Sequence, residues 1–132
     1  MAGADREVSV RLFDGFSGEG RMGQHVVRFD EPEDAGGADT GMTPMQLFLV
    51  SLGGCSAVTL RMYAERKGWP LEGVSVEVKL LREGRDVPRI VQEVKLEGDL
   101  DDAQRERLRI IAGRCPVHKM VDSPVETEEV LA

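Results

Sequence analysis

Two cysteines are the only soft nucleophiles in this 132-residue chain: Cys55, inside a long apolar segment, and Cys115, which opens the run Cys115-Pro116-Val117-His118. The 59 residues between them (56–114) are too many for a CxxC redox pair or a zinc knuckle, so only tertiary folding can bring the sulfurs together. A pair whose Cα atoms came within about 7 Å would be able to cycle between dithiol and disulfide. Cys115 and His118 form a C-x-x-H that, with Cys55 and His25, offers zinc-ligand residue types. The pattern has no second closely spaced ligand pair, so no metal is expected. Buried free cysteines also behave as small hydrophobes, and two inert core thiols are the competing reading.

The elements that must position these residues follow from periodicity and punctuation. Thr43-Pro44-Met45-Gln46 has the spacing of a capping box with proline at the first helical position, and Gly68 and Pro70 supply a stop, so a helix is expected from Thr43 to Lys67. From Leu47 to Leu60 it is apolar almost all round, which predicts burial on every side. At about 1.5 Å per residue it would be nearly 40 Å long, more than a domain of this size needs for its own core, so it is expected to meet a partner. Gly53-Gly54 lowers helix propensity and predicts a close approach by another backbone or a ligand beside Cys55. A second helix is expected from about Asp99–Asp102 to Gly113, with Leu100, Ala103, Leu108, Ile111 and Ala112 on one face. Its arginines, Arg105, Arg107, Arg109 and Arg114, are expected to form ion pairs along the exposed side. Pro116 can open a short helix through Val121 with Cys115 as its N-cap, where unpaired N–H groups favour a thiolate. Cys55, in mid-helix, has no such help, and burial would raise its pKa unless a cation such as an arginine lies close by.

Strands are expected where apolar and polar residues alternate. Val8, Val10 and Leu12 form one, and a second extended stretch, Met22 to Phe29, follows the turn residues Asp14 to Gly18, giving an N-terminal hairpin. Val74, Val76, Val78 and Leu80 precede the turn Glu83-Gly84-Arg85-Asp86. Ile90, Gln92, Val94 and Leu96 then return as an antiparallel partner, and a last strand is expected across Val125 to Leu131. Asp30 to Gly41, acidic and Gly-rich, reads as a mobile surface loop.

Composition bounds the function classes. The chain fits one domain, residues 1–132, able to bury a core without disulfides or metals. A formal charge of -7 with a pI near 4.9 gives no electrostatic footprint for nucleic acid or an anionic membrane. The N-terminus lacks the basic start and apolar core of a signal peptide, and no apolar run reads as long enough to span a bilayer, so the expected compartment is the cytoplasm, where thiols stay reduced.

The segment Thr43 to Ser56, with Leu52-Gly53-Gly54-Cys55-Ser56 at its end, together with Cys115-Pro116-Val117-His118-Lys119-Met120-Val121, resembles the OsmC-like family, which includes the organic hydroperoxide resistance proteins. The resemblance extends through the order of strands and helices along nearly the whole chain. It implies an α+β fold, an antiparallel sheet packed on long central helices, and an intertwined homodimer with active sites at the subunit interface. It also implies that Cys55 attacks the peroxide and Cys115 resolves the product, with no metal, haem or flavin and with an external thiol as reductant. In the family's peroxidases an arginine near the N-terminal hairpin activates the thiolate, and a glutamate ten residues before the first cysteine holds that arginine. Here that position is Met45, so Asp39 or another acidic residue of the loop would have to serve, and the pattern is closer to the branch lacking the glutamate. Arg21 is the candidate activating cation, with Arg11 second. The expected substrate is an organic hydroperoxide whose apolar tail meets Leu52, Val58, Met62 and Met45. Two alternatives stand beside this: a dimer that binds a small hydrophobic, electrophilic or sulfur-containing ligand near the cysteines without turnover, and an interaction scaffold with inert thiols.

Overall fold

Alternation and turn chemistry produce two antiparallel sheets in the computed structural model, which describes residues 7–132. The strands are β1 (Ser9–Leu12), β2 (Gly18–Met22), β3 (His25–Phe29), β4 (Gly73–Leu81) and β5 (Arg89–Glu97). The helices are α1 (Pro44–Lys67), α2 (Asp102–Ala112) and α3 (Pro116–Val121), an α+β composition as expected. The chain divides into two compact units, one ending at Phe48 and the other formed by Leu49–Ala132, and α1 begins in the first and continues into the second.

In the first unit β1, β2 and β3 form an antiparallel meander, with Leu12 opposite Gly18 and Met22 opposite His25. The expected second strand over Met22 to Phe29 is therefore corrected. Gly23, at φ 59°, turns the chain, and Gly18–Met22 is a strand of its own. Gly18-Glu19-Gly20 looks like turn material because glycine has low strand propensity. The reason for glycine at position 18 is proximity: a Cβ there would lie 2.5 Å from the Phe29 ring and 2.6 Å from the Arg11 carbonyl oxygen.

The segment expected to be a mobile loop is organised around one carboxylate. Asp30 is 1% exposed. Its oxygens accept from Glu31 N–H (2.7 Å), Ala38 N–H (3.3 Å), Thr40 N–H (3.2 Å) and Thr40 Oγ1 (2.6 Å), and a 3₁₀ turn occupies Glu33–Ala35. These bonds, the Thr40 hydroxyl first, favour the ionised form and hold the Asp30 carboxyl below its ordinary pKa, against the opposing effect of burial. A carboxyl lowered on folding stabilises above its unfolded pKa, and that stability is lost as pH falls through the lower folded value. Asp30→Asn should lower Tm at pH 7, and the difference from wild type should shrink in thermal melts taken below about pH 4.

The helix α1 starts and stops as its sequence dictates. Thr43 Oγ1 accepts from Gln46 N–H (3.1 Å) and Gln46 Oε1 from Thr43 N–H (2.9 Å), the reciprocal capping box. At the other end Gly68, at φ 70°, donates to Glu65 O and Trp69 to Ala64 O, a Schellman motif. β4 and β5 pair with Val74 opposite Leu96, Val76 opposite Val94, Val78 opposite Gln92 and Leu80 opposite Ile90, the expected hairpin. Their other face carries Glu77, Lys79, Glu93 and Lys95 into solvent. The core joins Leu60 and Ala64 of α1 to Leu71, Leu100, and Leu108, Ile111 and Ala112 of α2, with Tyr63, Trp69, Val74, Val94 and Leu96 around them. Gly53 lets α1 approach β4: a Cβ there would sit 2.8 Å from Val78 Cγ2. Gln92 is the polar residue in the inward row, and its Oε1 is buried without a hydrogen-bond partner. Gln92→Met should therefore raise stability by about 1 kcal/mol in urea titration, the size of the penalty for an unpaired buried acceptor.

Several expectations are corrected here. Within this chain α1 buries a stripe (Leu52, Gly53, Ser56, Leu60 and Ala64), not every side, and Val50, Val58 and Met62 remain exposed. By length and composition α1 does reach what a membrane-crossing helix needs, contrary to expectation; its buried stripe is that of a core helix. Ala103 is exposed, one turn too early to join the α2 face. Among the described residues, Arg109 forms the expected ion pair, with Glu106 at 2.6 Å. Arg105 instead donates to the carbonyls of Leu96, Gly98 and Leu100, and Arg107 to Tyr63 Oη. Residues 124–132 form no strand, because no neighbouring strand edge pairs with their alternating pattern.

Candidate functional site

The two cysteines meet at the start of α3. Pro116 occupies the first helical position with its fixed φ, so Cys115 becomes the N-cap and the next two residues present N–H groups with no partner inside the helix. Each of these serves a different sulfur. His118 N–H donates to Cys115 Sγ at 3.2 Å, and Val117 N–H donates to Cys55 on α1. The Cys115 thiol acts on the Cys55 thiol, favouring its neutral form, although 59 residues separate them in sequence. Cys115 is fully buried and Cys55 is partly exposed, the arrangement of an accessible sulfur backed by a protected one.

The Cys55 thiol is pushed above its ordinary pKa. Burial is the main cause, because it disfavours the charged form, and the neighbouring Cys115 thiol adds to it. Val117 N–H and the Thr59 hydroxyl oppose the rise by donating to the sulfur. The expectation that mid-helix Cys55 lacks hydrogen-bond help is thus corrected, since the help comes from another helix. The influences named here, burial, Cys115, Val117 N–H and the Thr59 hydroxyl, are those of uncharged groups.

Two further side chains complete the cluster. Ser56 is fully buried, and its Oγ lies 3.1 Å from the Ala112 carbonyl oxygen and 3.7 Å from Cys115 Sγ. His118 Nδ1 lies 3.0 Å from Asp122 Oδ2 without a hydrogen bond between them. Ser56 and Thr59 were not singled out in the sequence, although a signal was present: Thr59 is four residues after Cys55, which puts both on one helix face. The Val117 N–H carries no side-chain signal and is found only by folding α3.

The other candidates lie on several elements. Arg21 lies on β2 opposite Val26 and is paired with Glu19 at 3.1 Å, while Arg11 lies on β1 with its guanidinium 5.7 Å from the Phe13 ring centroid. Asp39 holds a left-handed φ of 54° in the loop, His25 opens β3, and Met45 is exposed in the first turn of α1. Val58 and Met62, with Ala57, Arg61, Glu65 and Val74, line an open hollow of about 420 Å³. Leu52 is 2% exposed and belongs to the interior. Arg61 is held at the hollow by bonds to Leu71 O (2.6 Å) and Glu72 O (3.0 Å). Among the described residues no group of three or more His, Cys, Asp or Glu is placed to hold a metal ion.

The fold is similar to solved structures across nearly its whole length. An OsmC-like protein from Mycoplasma pneumoniae superposes with a TM-score of 0.75 at 19% identity, covering 90% of this chain and 89% of that one. An organic hydroperoxide resistance protein from Legionella pneumophila, described as a predicted redox protein and regulator of sulfide bond formation, gives 0.64 at 22%, covering 90% and 91%. The organic hydroperoxide resistance protein OhrB of Bacillus subtilis gives 0.58 at 23%, covering 88% and 90%. A search of curated proteins finds no match. The sequence model described as OsmC-like protein matches residues 36–130, which include both cysteines and every group that touches their sulfurs, and the chain belongs to the OsmC-like protein family.

Proposed function

We propose that this chain is a thiol-dependent peroxidase acting on organic hydroperoxides, with Cys55 as nucleophile and Cys115 as resolving cysteine. The observation that carries the reading is the pair of thiols that act on one another, one accessible and one buried, at the start of α3, where His118 N–H donates to Cys115 Sγ. The Cys55 thiolate attacks the distal oxygen of the hydroperoxide, the O–O bond breaks, and the alkoxide takes a proton to leave as alcohol. Cys55 is left as sulfenic acid. Cys115 then displaces its hydroxyl, the Cys115 proton departs in the water formed, and a disulfide results. An external dithiol restores both thiols and is itself oxidised. The organic hydroperoxide resistance proteins among the structural relatives support the substrate class.

The hollow at Val58 and Met62, one and two turns along α1 from Cys55, suits an organic tail, and Met45 and Arg21 complete the proposed set for substrate and activation; Leu52, buried in the interior, is not part of it. A homodimer accords with the apolar side chains that this chain leaves in solvent, among them Val10, Leu12 and Val27 on the first sheet and Val50, Val58 and Met62 on α1. We take the chain as one domain working in the cytoplasm, where reduced thiols are the rule.

A second reading is favoured by the raised Cys55 pKa and by Met45 at the position of the family glutamate: a dimeric protein that binds a small hydrophobic, electrophilic or sulfur-containing ligand at the same cysteines without turnover. Consumption of cumene hydroperoxide and of hydrogen peroxide, with dithiothreitol or a dihydrolipoyl thiol as reductant, separates the two. Turnover favouring the organic peroxide is expected, and its absence with accessible thiols would sink the peroxidase. In Cys115→Ser, sulfenic acid on Cys55 should persist after one equivalent of peroxide and be trapped by dimedone, whereas wild type should give disulfide.

A further inference from the structure

The chain carries 24 acidic residues against 17 basic ones, yet Lys67, Arg107 and Arg114 form no ion pair among the described residues. Arg109, two positions from Arg107, does pair, with Glu106. The three cations bear instead on one half-buried phenol, Tyr63 of α1. Arg107 Nε donates to Tyr63 Oη at 3.0 Å, and its Cζ lies 5.7 Å from the ring centroid. Lys67, one turn further along α1, places Nζ 5.7 Å from the same centroid, and Trp69 packs edge-on against the ring with centroids 5.6 Å apart. The Arg107 hydrogen bond first, and then the charges of Arg107, Lys67 and Arg114, hold the Tyr63 hydroxyl below its ordinary pKa.

Donors remain available at this spot. Tyr63 Oη accepts from Arg107, but its own O–H proton has no acceptor among the described residues. Arg107 is anchored through Nε, so its two Nη groups stay beside that O–H with their hydrogens unpaired, and Lys67 Nζ is likewise without an acceptor among the described residues. We propose that Tyr63, Arg107 and Lys67 form a binding site for a phosphate group, free or as a monoester, in which the phenol O–H and the Arg107 Nη groups donate to its oxygens and Lys67 adds a further charge. Charge sets the ligand class. Three cations around one hydroxyl repel one another, and a dianion relieves that repulsion where a single carboxylate leaves an excess.

The site lies outside the proposed thiol chemistry, so its test uses neither peroxide nor a cysteine. Tyr63 and Trp69 are the chain's only tyrosine and only tryptophan, so both report on it without a label. Trp69 fluorescence is titrated with inorganic phosphate and with phenyl phosphate at about pH 8, where both are dianions, at constant ionic strength set with sodium chloride. A saturable change with a Kd on the order of 1 mM is expected. At saturation the Tyr63 midpoint, followed by phenolate absorbance, should rise by about one pH unit, because the bound dianion opposes the phenolate. Arg107→Gln should weaken binding by about tenfold or more, the effect of losing a charge-assisted contact. Tyr63→Phe should weaken it less, and Arg109→Gln, which removes the same charge from the same helix, should stay within about twofold of wild type. Equal affinity for the two probes would assign the site to the bare ion, and tighter phenyl phosphate to a monoester. No saturable change beyond that of chloride, acetate binding as tightly as phosphate, or equal losses in Arg107→Gln and Arg109→Gln would overturn the proposal.

Discussion

Cys55→Ser should abolish hydroperoxide consumption, lowering kcat/KM by about a thousand-fold or more, because a serine hydroxyl at neutral pH neither ionises nor attacks a peroxide oxygen as a thiolate does. The side chains differ by one atom, and Cys55 lies among groups that would also accept a hydroxyl: Val117 N–H, the Thr59 hydroxyl and Cys115. Tm should therefore change little, which separates lost chemistry from lost fold. In the wild type the pH profile carries the same information. With the Cys55 thiol raised chiefly by burial, the reactive thiolate is a minor species at neutral pH, so the rate should climb with pH past the ordinary thiol pKa of about 8.5. A profile already flat at pH 7 would mean that a cation, with Arg21 the candidate, reaches Cys55 in the working protein and outweighs burial.

The second large effect is on stability. Leu108→Ala removes a side chain that is 0% exposed and joins α2 to Leu60 and Ala64 of α1 within one core. Unfolding free energy should fall by about 3 kcal/mol, measured by urea denaturation, from lost apolar transfer plus the cavity left among side chains that relax only partly. In a domain held by roughly 5–15 kcal/mol that is a large fraction of the total. Because α2 leads directly to Arg114 and Cys115, alkylation of Cys115 should also become easier in this variant. Val58→Ala gives the contrasting case. On this chain alone Val58 is exposed and its truncation should matter by less than about 0.5 kcal/mol. If a second copy covers α1, the loss will be larger and will depend on protein concentration.

Local chemistry made much of this protein legible before folding. The capping box at Thr43 and Gln46, the Gly68 stop, the β4–β5 register through Val76 and Val94, and Cys115 as the N-cap of a proline-started helix all depend on contacts within a few residues or on strict alternation. Where non-local contacts decide, the sequence misleads. Gly18 looks like a turn and is a strand residue because the Phe29 ring leaves no room for a Cβ. Val125 to Leu131 alternates like a strand and pairs with no strand among the described residues. Asp30 gives no periodic signal, since its four hydrogen bonds come from residues up to ten positions away.

The candidate site divides along the same line. The identities of Cys55 and Cys115, their helix-interior and N-cap settings, and the OsmC-like pattern around them are properties of the sequence by itself. That Cys115 acts on Cys55, that the Val117 N–H favours the Cys55 thiolate, and that Ser56 Oγ meets both Cys115 Sγ and the Ala112 carbonyl are decided by tertiary structure alone. Backbone N–H groups and carbonyls are the same at every residue, so no residue type announces them. Only the packing of α1 against α2 and α3 selects which of them meet the sulfurs.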